Sequence, residues 1–258
     1  MKHLTSRDNP LLKELRRLSQ DTTAYRKSGR VWLEGDHLCR AAVTRGVRPA
    51  QAILAESVWA SGAQDWYQAA DEMYVVPDAI FDTLSSLESP ARMGFVLTLP
   101  ASLDMDVTAS TVVLDRLQDA GNVGAILRSA SAFGFKQVLA IKGTAALWSP
   151  KVLRAGMGAH FGLRLIEGLA PQDLQPLQLP LLTTSSHQGP HLHDLVAQRQ
   201  LPARCAWVLG HEGQGVSEAL QQLARLHVRI AQPGGEESLN VAAAAAICLH
   251  ASATAASG

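Results

Sequence analysis

The chain has 258 residues, 47% of them hydrophobic, enough for one large α/β domain or two modest ones. No apolar run is long enough to span a bilayer, and the start, Met1-Lys-His-Leu-Thr-Ser-Arg, lacks the apolar stretch of a secretory signal. Cys39, Cys205 and Cys248 are too few and too far apart for a disulfide framework or a zinc site, so no metal is expected and a cytoplasmic setting fits. Net charge is zero, yet residues 1–48 hold eleven Lys/Arg against five Asp/Glu, a surplus of six that the remainder balances. A basic end on an otherwise acidic chain suits phosphate, as in nucleic acid; a solvated helix face explains it equally well.

In chain order, Leu11, Leu12, Leu15 and Leu18 recur at helical spacing among Lys13, Glu14, Arg16 and Arg17. Val31–Glu34 predicts a strand and His37–Val43 a helix. Ala52–Ala55 and Met73–Val76 predict strands around a polar helical segment, and Phe95–Leu99 another strand. This is a small α/β unit over 1–99. Pro100-Ala-Ser-Leu-Asp-Met-Asp reads as a linker. Over 108–258 the pattern becomes regular. Strands are predicted at Thr111–Leu114, Gln137–Ile141, Pro180–Thr184, Cys205–Leu209 and His227–Ile230, and helices from Asn122, over Val152–Met157 and over Leu239–Ala251. Pro171–Pro180 reads as a surface connection. Short apolar strands alternating with helices imply a parallel sheet covered on both faces. Ligands in such sheets bind beyond the carboxyl ends of the strands.

Three strand-to-helix loops carry the candidate chemistry. In Leu114-Asp-Arg-Leu-Gln-Asp-Ala-Gly-Asn-Val-Gly-Ala-Ile-Leu-Arg, Asn122 is the expected N-cap. Val123, Ile126, Leu127 and Ala130 form an apolar stripe, with Gly124 and Arg128 beside it, one turn apart. A glycine there costs helix stability and leaves room for a group near the guanidinium. In Leu209-Gly-His-Glu-Gly-Gln-Gly-Val-Ser, three glycines permit positive φ and expose backbone to a ligand. Glu212 sits among them, where a carboxylate can orient a cation such as Arg128, and Ser217 reads as the next N-cap. In Ile230-Ala-Gln-Pro-Gly-Gly-Glu-Glu-Ser-Leu-Asn-Val, Ser238 and Asn240 precede an Ala-rich helix that they can cap, or they can bond a substrate. No dinucleotide or P-loop fingerprint is present.

Taken in order, Asn122-x-Gly124-x-x-x-Arg128, Gly210-x-Glu212-Gly-x-Gly215 and Ser238-Leu-Asn240-Val resemble the three signature motifs of the SpoU (TrmH-like) branch of the SPOUT methyltransferases. Ser6-Arg-Asp-Asn-Pro-Leu-Leu-Lys and Leu33-Glu-Gly are similar to the substrate-binding domain many such enzymes carry. The resemblance implies a parallel-sheet domain closed by a C-terminal trefoil knot over 108–258, and a small N-terminal α/β RNA-binding domain over 1–99. It implies S-adenosylmethionine held by backbone around Leu209, Gly210, Gly215, Ile230 and Leu239, and a homodimer. It implies methyl transfer to a ribose 2′-hydroxyl of RNA, with Arg128, Asn122, Glu212, Ser238 and Asn240 as the catalytic set. Ribosomal RNA is the favoured substrate and transfer RNA the second choice; a catalytically silent RNA-binding protein is the alternative. The family often has Pro where Ala120 and Ala231 stand, and His211 occupies a variable position.

Overall fold

The computed structural model describes residues 1–62, 65–185, 188–234 and 238–255. They form two compact units, one of residues 1–102 with 148–161, the other of 103–147 with 162–258.

In the first unit, Asn9 caps α1 (Pro10–Gln20) by accepting the Leu11 amide at 2.9 Å, and Pro10 supplies the first helical φ. Leu12, Leu15 and Leu18 are buried as the spacing predicts, and Leu11 only half so. This unit's strands are β1 (Lys2–His3), β2 (Arg30–Glu34), β3 (Gln51–Ala55), β4 (Glu72–Val76) and β5 (Met93–Thr98). They lie in the order β1-β4-β3-β5-β2, parallel on the β1 side and antiparallel around β5. Short helices α2 (Tyr25–Ser28), α3 (Asp36–Thr44), α4 (Glu56–Ala60) and α5 (Asp78–Phe81) connect them. Many of this unit's cations are committed: Lys2 to Glu72, Lys13 to Asp8, Arg30 to Glu14, Arg40 to Asp36, Arg48 to Asp71, and Arg92 to Asp78 and Asp82.

The second unit is a six-stranded sheet of β6 (Thr111–Asp115), β7 (Gln137–Ile141), β8 (Arg164–Leu169), β9 (Leu181–Thr184), β10 (Ala206–Gly210) and β11 (Leu226–Val228). Its order is β11-β9-β10-β6-β7-β8, and every pairing is parallel. Residues of β6, β7 and β10 are buried along their whole length, as strands covered on both faces must be. Helices α6 (Ala120–Ala132), α8 (Leu192–Ala197), α9 (Glu218–Leu223) and α10 (Val241–Ala255) complete it. The helix α7 (Pro150–Gly156), reached from β7, belongs with the first unit, where it packs on α1 and β2.

Strand β8 has no counterpart in the sequence reading. It is an edge strand with mixed exposure, and Gly168 at φ 77° and a register shift beside it interrupt its pattern. The connection expected at 171–180 contains a 3-10 turn, Pro171–Leu174, that buries Leu174. On β10, fully buried Trp207 donates its indole N–H to Ser252 Oγ of α10 at 2.8 Å, which fastens the C-terminal helix to the sheet.

Candidate active site

All three loops leave the carboxyl ends of neighbouring strands β6 and β10 and of β11, so one edge of the sheet gathers them. Helix α6 starts differently from expectation. Asp119, not Asn122, is the N-cap, and its Oδ1 accepts the Asn122 amide at 2.7 Å. Asp can make this bond because it stands three residues earlier, outside the helix, in extended conformation. The Asn122 side chain is thereby released for other contacts.

Those contacts join the three loops. Glu212 Oε1 accepts the Asp119 amide and Asn122 Nδ2, each at 3.2 Å, and its Oε2 accepts the Gln118 amide at 3.3 Å. Asn122 Oδ1 in turn accepts from Asn240 Nδ2 at 3.0 Å. Asn240 Oδ1 accepts the amides of Ala242 and Ala243, so it caps α10 and reaches Asn122 with opposite ends of one amide. Burial raises the Glu212 pKa, but the hydrogen bonds from Asn122 and the backbone amides outweigh it and hold the carboxyl below the usual range.

The expected pairing of Glu212 with Arg128 is not present. Glu212 is used up by the first loop, and Arg128 is exposed and makes no hydrogen bond or ion pair among the described residues. Gly124, one turn before it, is buried, as is the stripe Val123, Ile126, Leu127 and Ala130. Ser238 is exposed and makes no hydrogen bond among the described residues, leaving the cap to Asn240. Ser217 stands at the N-cap of α9 but its hydroxyl makes no capping bond; its amide goes to Asp115 Oδ2 at 2.6 Å. Gly235 of the Pro-Gly-Gly run lies outside the described residues.

The glycines of the second loop are not equivalent. A Cβ on Gly210 would lie 2.2 Å from Gly215 C and Val216 N, so close backbone approach demands glycine. Gly215 has φ 67°, the left-handed region; Gly213 meets neither requirement. His211 and Gly215 exchange backbone hydrogen bonds at 3.0 and 2.8 Å, and His211 Nδ1 accepts the Gly213 and Gln214 amides. Arg116, at φ 61°, donates to the buried Asp115 carboxylate and to Gln214 Oε1 at 3.1 Å each. The sequence reading did not single out Asp115, Arg116, Asp119 or Gln214. A carboxylate at the end of an apolar strand was the available signal for Asp115.

Beside this clasp lies a cavity of about 930 Å³ lined by Gly210, Glu212, Gly215, Ile230, Ser238, Leu239 and Asn240, and also by Thr183, His227 and Gln232. Leu209 is buried within β10 and does not line it. A cavity of about 610 Å³ near the amino ends of β9 and β11 holds none of the candidate residues. Among the described residues no helix is long and apolar enough to cross a membrane, and no three His, Cys, Asp or Glu side chains group as a metal site.

A parallel α/β sheet whose signature loops meet over a cavity at its carboxyl edge defines a SPOUT-type methyltransferase domain. The chain belongs to the SpoU rRNA Methylase family, whose model matches residues 109–250. A second model, the MRM3-like substrate binding domain, matches residues 9–93. An uncharacterized tRNA/rRNA methyltransferase of Synechocystis is 30% identical, over 96% of this chain and 92% of its own length. The 23S rRNA (guanosine(2553)-2′-O)-methyltransferase RlmP of Bacillus subtilis is 26% identical over 97% and 98%. The SpoU methyltransferase AviRb of Streptomyces viridochromogenes, solved with AdoMet, shares the fold, with a TM-score of 0.82 and 20% identity over 95% of this chain and 97% of that one.

Proposed function

We propose that this chain transfers a methyl group from S-adenosylmethionine to a ribose 2′-hydroxyl of ribosomal RNA. The observation that carries the reading is the Glu212–Asn122–Asn240 clasp, which binds three signature loops together beside a cavity while leaving Arg128 exposed and, among the described residues, unpaired. The cavity suits the cofactor: Gly210 and Gly215 bring bare backbone to its wall. When bound, the cofactor supplies an electrophilic methyl on a sulfonium.

The residues of the chain have the remaining work of alignment and charge. A ribose 2′-oxygen gains negative charge as its proton passes to solvent, and Arg128 offers it a cationic fork of donors. A guanidinium keeps its charge in proteins, so Arg128 acts as a charge stabiliser and phosphate ligand, not as a proton acceptor. Asn122, Glu212 and Asn240 hold the first turn of α6, the helix that carries it, and exposed Ser238 is available to the ribose. The intact clasp weighs against a silent RNA-binding protein.

The reading extends to the assembly. Residues 1–99 bind RNA and 108–258 form the methyltransferase domain, threaded as a trefoil knot. Two copies pair through the apolar groove lined by Phe133, Leu192, Val196, Ile230 and Ile247. Ile247 is 41% exposed on a helix that is apolar all round, which favours cover by a second copy. A cytoplasmic location accords with three free, buried cysteines. Incubation with methyl-labelled S-adenosylmethionine and unmodified ribosomal or transfer RNA tests the substrate. Label in ribosomal RNA is expected; label in transfer RNA alone would overturn that assignment.

A further inference from the structure

Arg116 sits where the backbone favours glycine. Its φ of 61° is left-handed, a conformation that strains any residue with a Cβ. The chain nevertheless holds an arginine there and fixes it from several sides. Thr144 Oγ1 accepts its amide at 3.1 Å, and its stem lies over Gly143, where a Cβ would meet Arg116 Cγ at 3.4 Å. Buried Asp115 accepts from Nε at 3.1 Å with one carboxylate oxygen and from the Ser217 amide at 2.6 Å with the other. Nη1 donates to Gln214 Oε1 at 3.1 Å. A guanidinium only donates, so this contact sets the Gln214 amide: its oxygen faces Arg116 and its NH2 faces away.

The result is two sets of donors side by side. The remaining N–H groups of Arg116 and the NH2 of Gln214 have no partner among the described residues. The Arg116 side chain is 33% exposed, and Gln214 is exposed. Asp115, Asp119 and Glu212, the carboxylates of the same loops, each accept backbone amides already. A guanidinium fork beside an amide NH2, both open to solvent, suits the oxygens of an anion. Gln214 lines the cavity and Arg116 does not, so a ligand must extend beyond the cavity to reach both. An RNA strand does so, whereas the carboxylate of a cofactor held in the cavity would meet Gln214 alone. We infer that Arg116 and Gln214 form a subsite for a phosphate of the RNA substrate, in addition to Arg128. This rests on the RNA reading above. Asp115 is then the positioning residue that orients the fork.

The test uses the full-length protein, steady-state methyl transfer to unmodified ribosomal RNA over a range of KCl, calorimetry with S-adenosylmethionine, and melting. Gln214→Glu keeps an oxygen that accepts from Arg116 but puts a carboxylate oxygen where the NH2 stood. The KM for RNA should rise about tenfold, with kcat and cofactor affinity within about threefold of wild type. Tm should hold or rise, because Arg116 gains a charged partner. A role confined to tying the two loops together would leave KM unchanged in this variant, since the bond to Arg116 survives. Arg116→Gln should flatten the plot of log KM against log salt by about 0.7, the counterion release of one single-strand phosphate contact. If the loss of its partner at Asp115 keeps that variant from folding, Gln214→Glu decides alone. A KM within about threefold of wild type in Gln214→Glu, or an unchanged salt slope in folded Arg116→Gln, overturns the inference and leaves the RNA reading intact. An equal loss of cofactor affinity in Gln214→Glu also overturns it, because the anion would then be the cofactor's carboxylate. Wild-type protein that methylates no RNA overturns the RNA reading, and this inference with it.

Discussion

Replacing Glu212 should separate the value of the clasp from that of its charge. The carboxylate accepts three hydrogen bonds of 3.2 to 3.3 Å. Charged hydrogen bonds contribute about 1.5–3 kcal/mol each, but these are long and the residue is exposed, so about 1 kcal/mol each is the fitting figure. Glu212→Ala loses all three, about 3 kcal/mol, or a fall of about 150-fold in kcat/KM if the clasp is needed in the transition state. Glu212→Gln keeps an oxygen for Asp119 and Asn122 but turns an NH2 toward the Gln118 amide. The loss of one bond and a donor–donor conflict predict about 1–2 kcal/mol, roughly tenfold. The assay is methyl transfer to ribosomal RNA, with melting as the control for folding. Both variants within about threefold of wild type would refute the clasp as a catalytic support.

Further outcomes follow from the same geometry. Arg128→Ala should abolish transfer while leaving Tm and cofactor affinity near wild type, because the guanidinium has no partner to lose among the described residues; normal turnover would exclude its role. Asn240→Ala should lower Tm through loss of the α10 cap, about 1 kcal/mol, whereas Asn240→Asp keeps the cap, loses the donor to Asn122, and should lower activity at near-normal Tm. Gly210→Ala places a methyl against loop backbone and should cost both Tm and cofactor binding, read by melting and calorimetry. The Glu212 carboxyl titrates below its ordinary range, so its contribution is complete above the ordinary glutamate pKa and lost as pH falls through the lowered one. Cofactor affinity should therefore be flat from about pH 8 to about pH 5; a drop across that window in wild type but not in Glu212→Gln would contradict this.

The buried centre of the methyltransferase domain was plain in the sequence. Gln137–Ile141 is the strand its apolar run predicts, β6 runs one residue longer than expected, and β10 is shifted by one residue from Cys205–Leu209. Edge strand β8 was not legible, since its half-exposed residues and Gly168 imitate a loop. Motif spacing marked Asn122, Glu212 and Asn240 but not their wiring. Nothing local distinguishes Asn122 as a cap from Asn122 as a bridge, and the choice was made by Asp119, an equally good capping residue three positions earlier. The pairing of Glu212 with amides in place of Arg128 is likewise a product of tertiary contact across some ninety residues, beyond the reach of local pattern.

The central claim is the atom methylated. Ribosomal RNA labelled by the purified protein with methyl-labelled S-adenosylmethionine should be hydrolysed in alkali, which cleaves only next to a free 2′-hydroxyl. The account predicts label in alkali-resistant dinucleotides. Label released entirely as mononucleotides would show base methylation and contradict it.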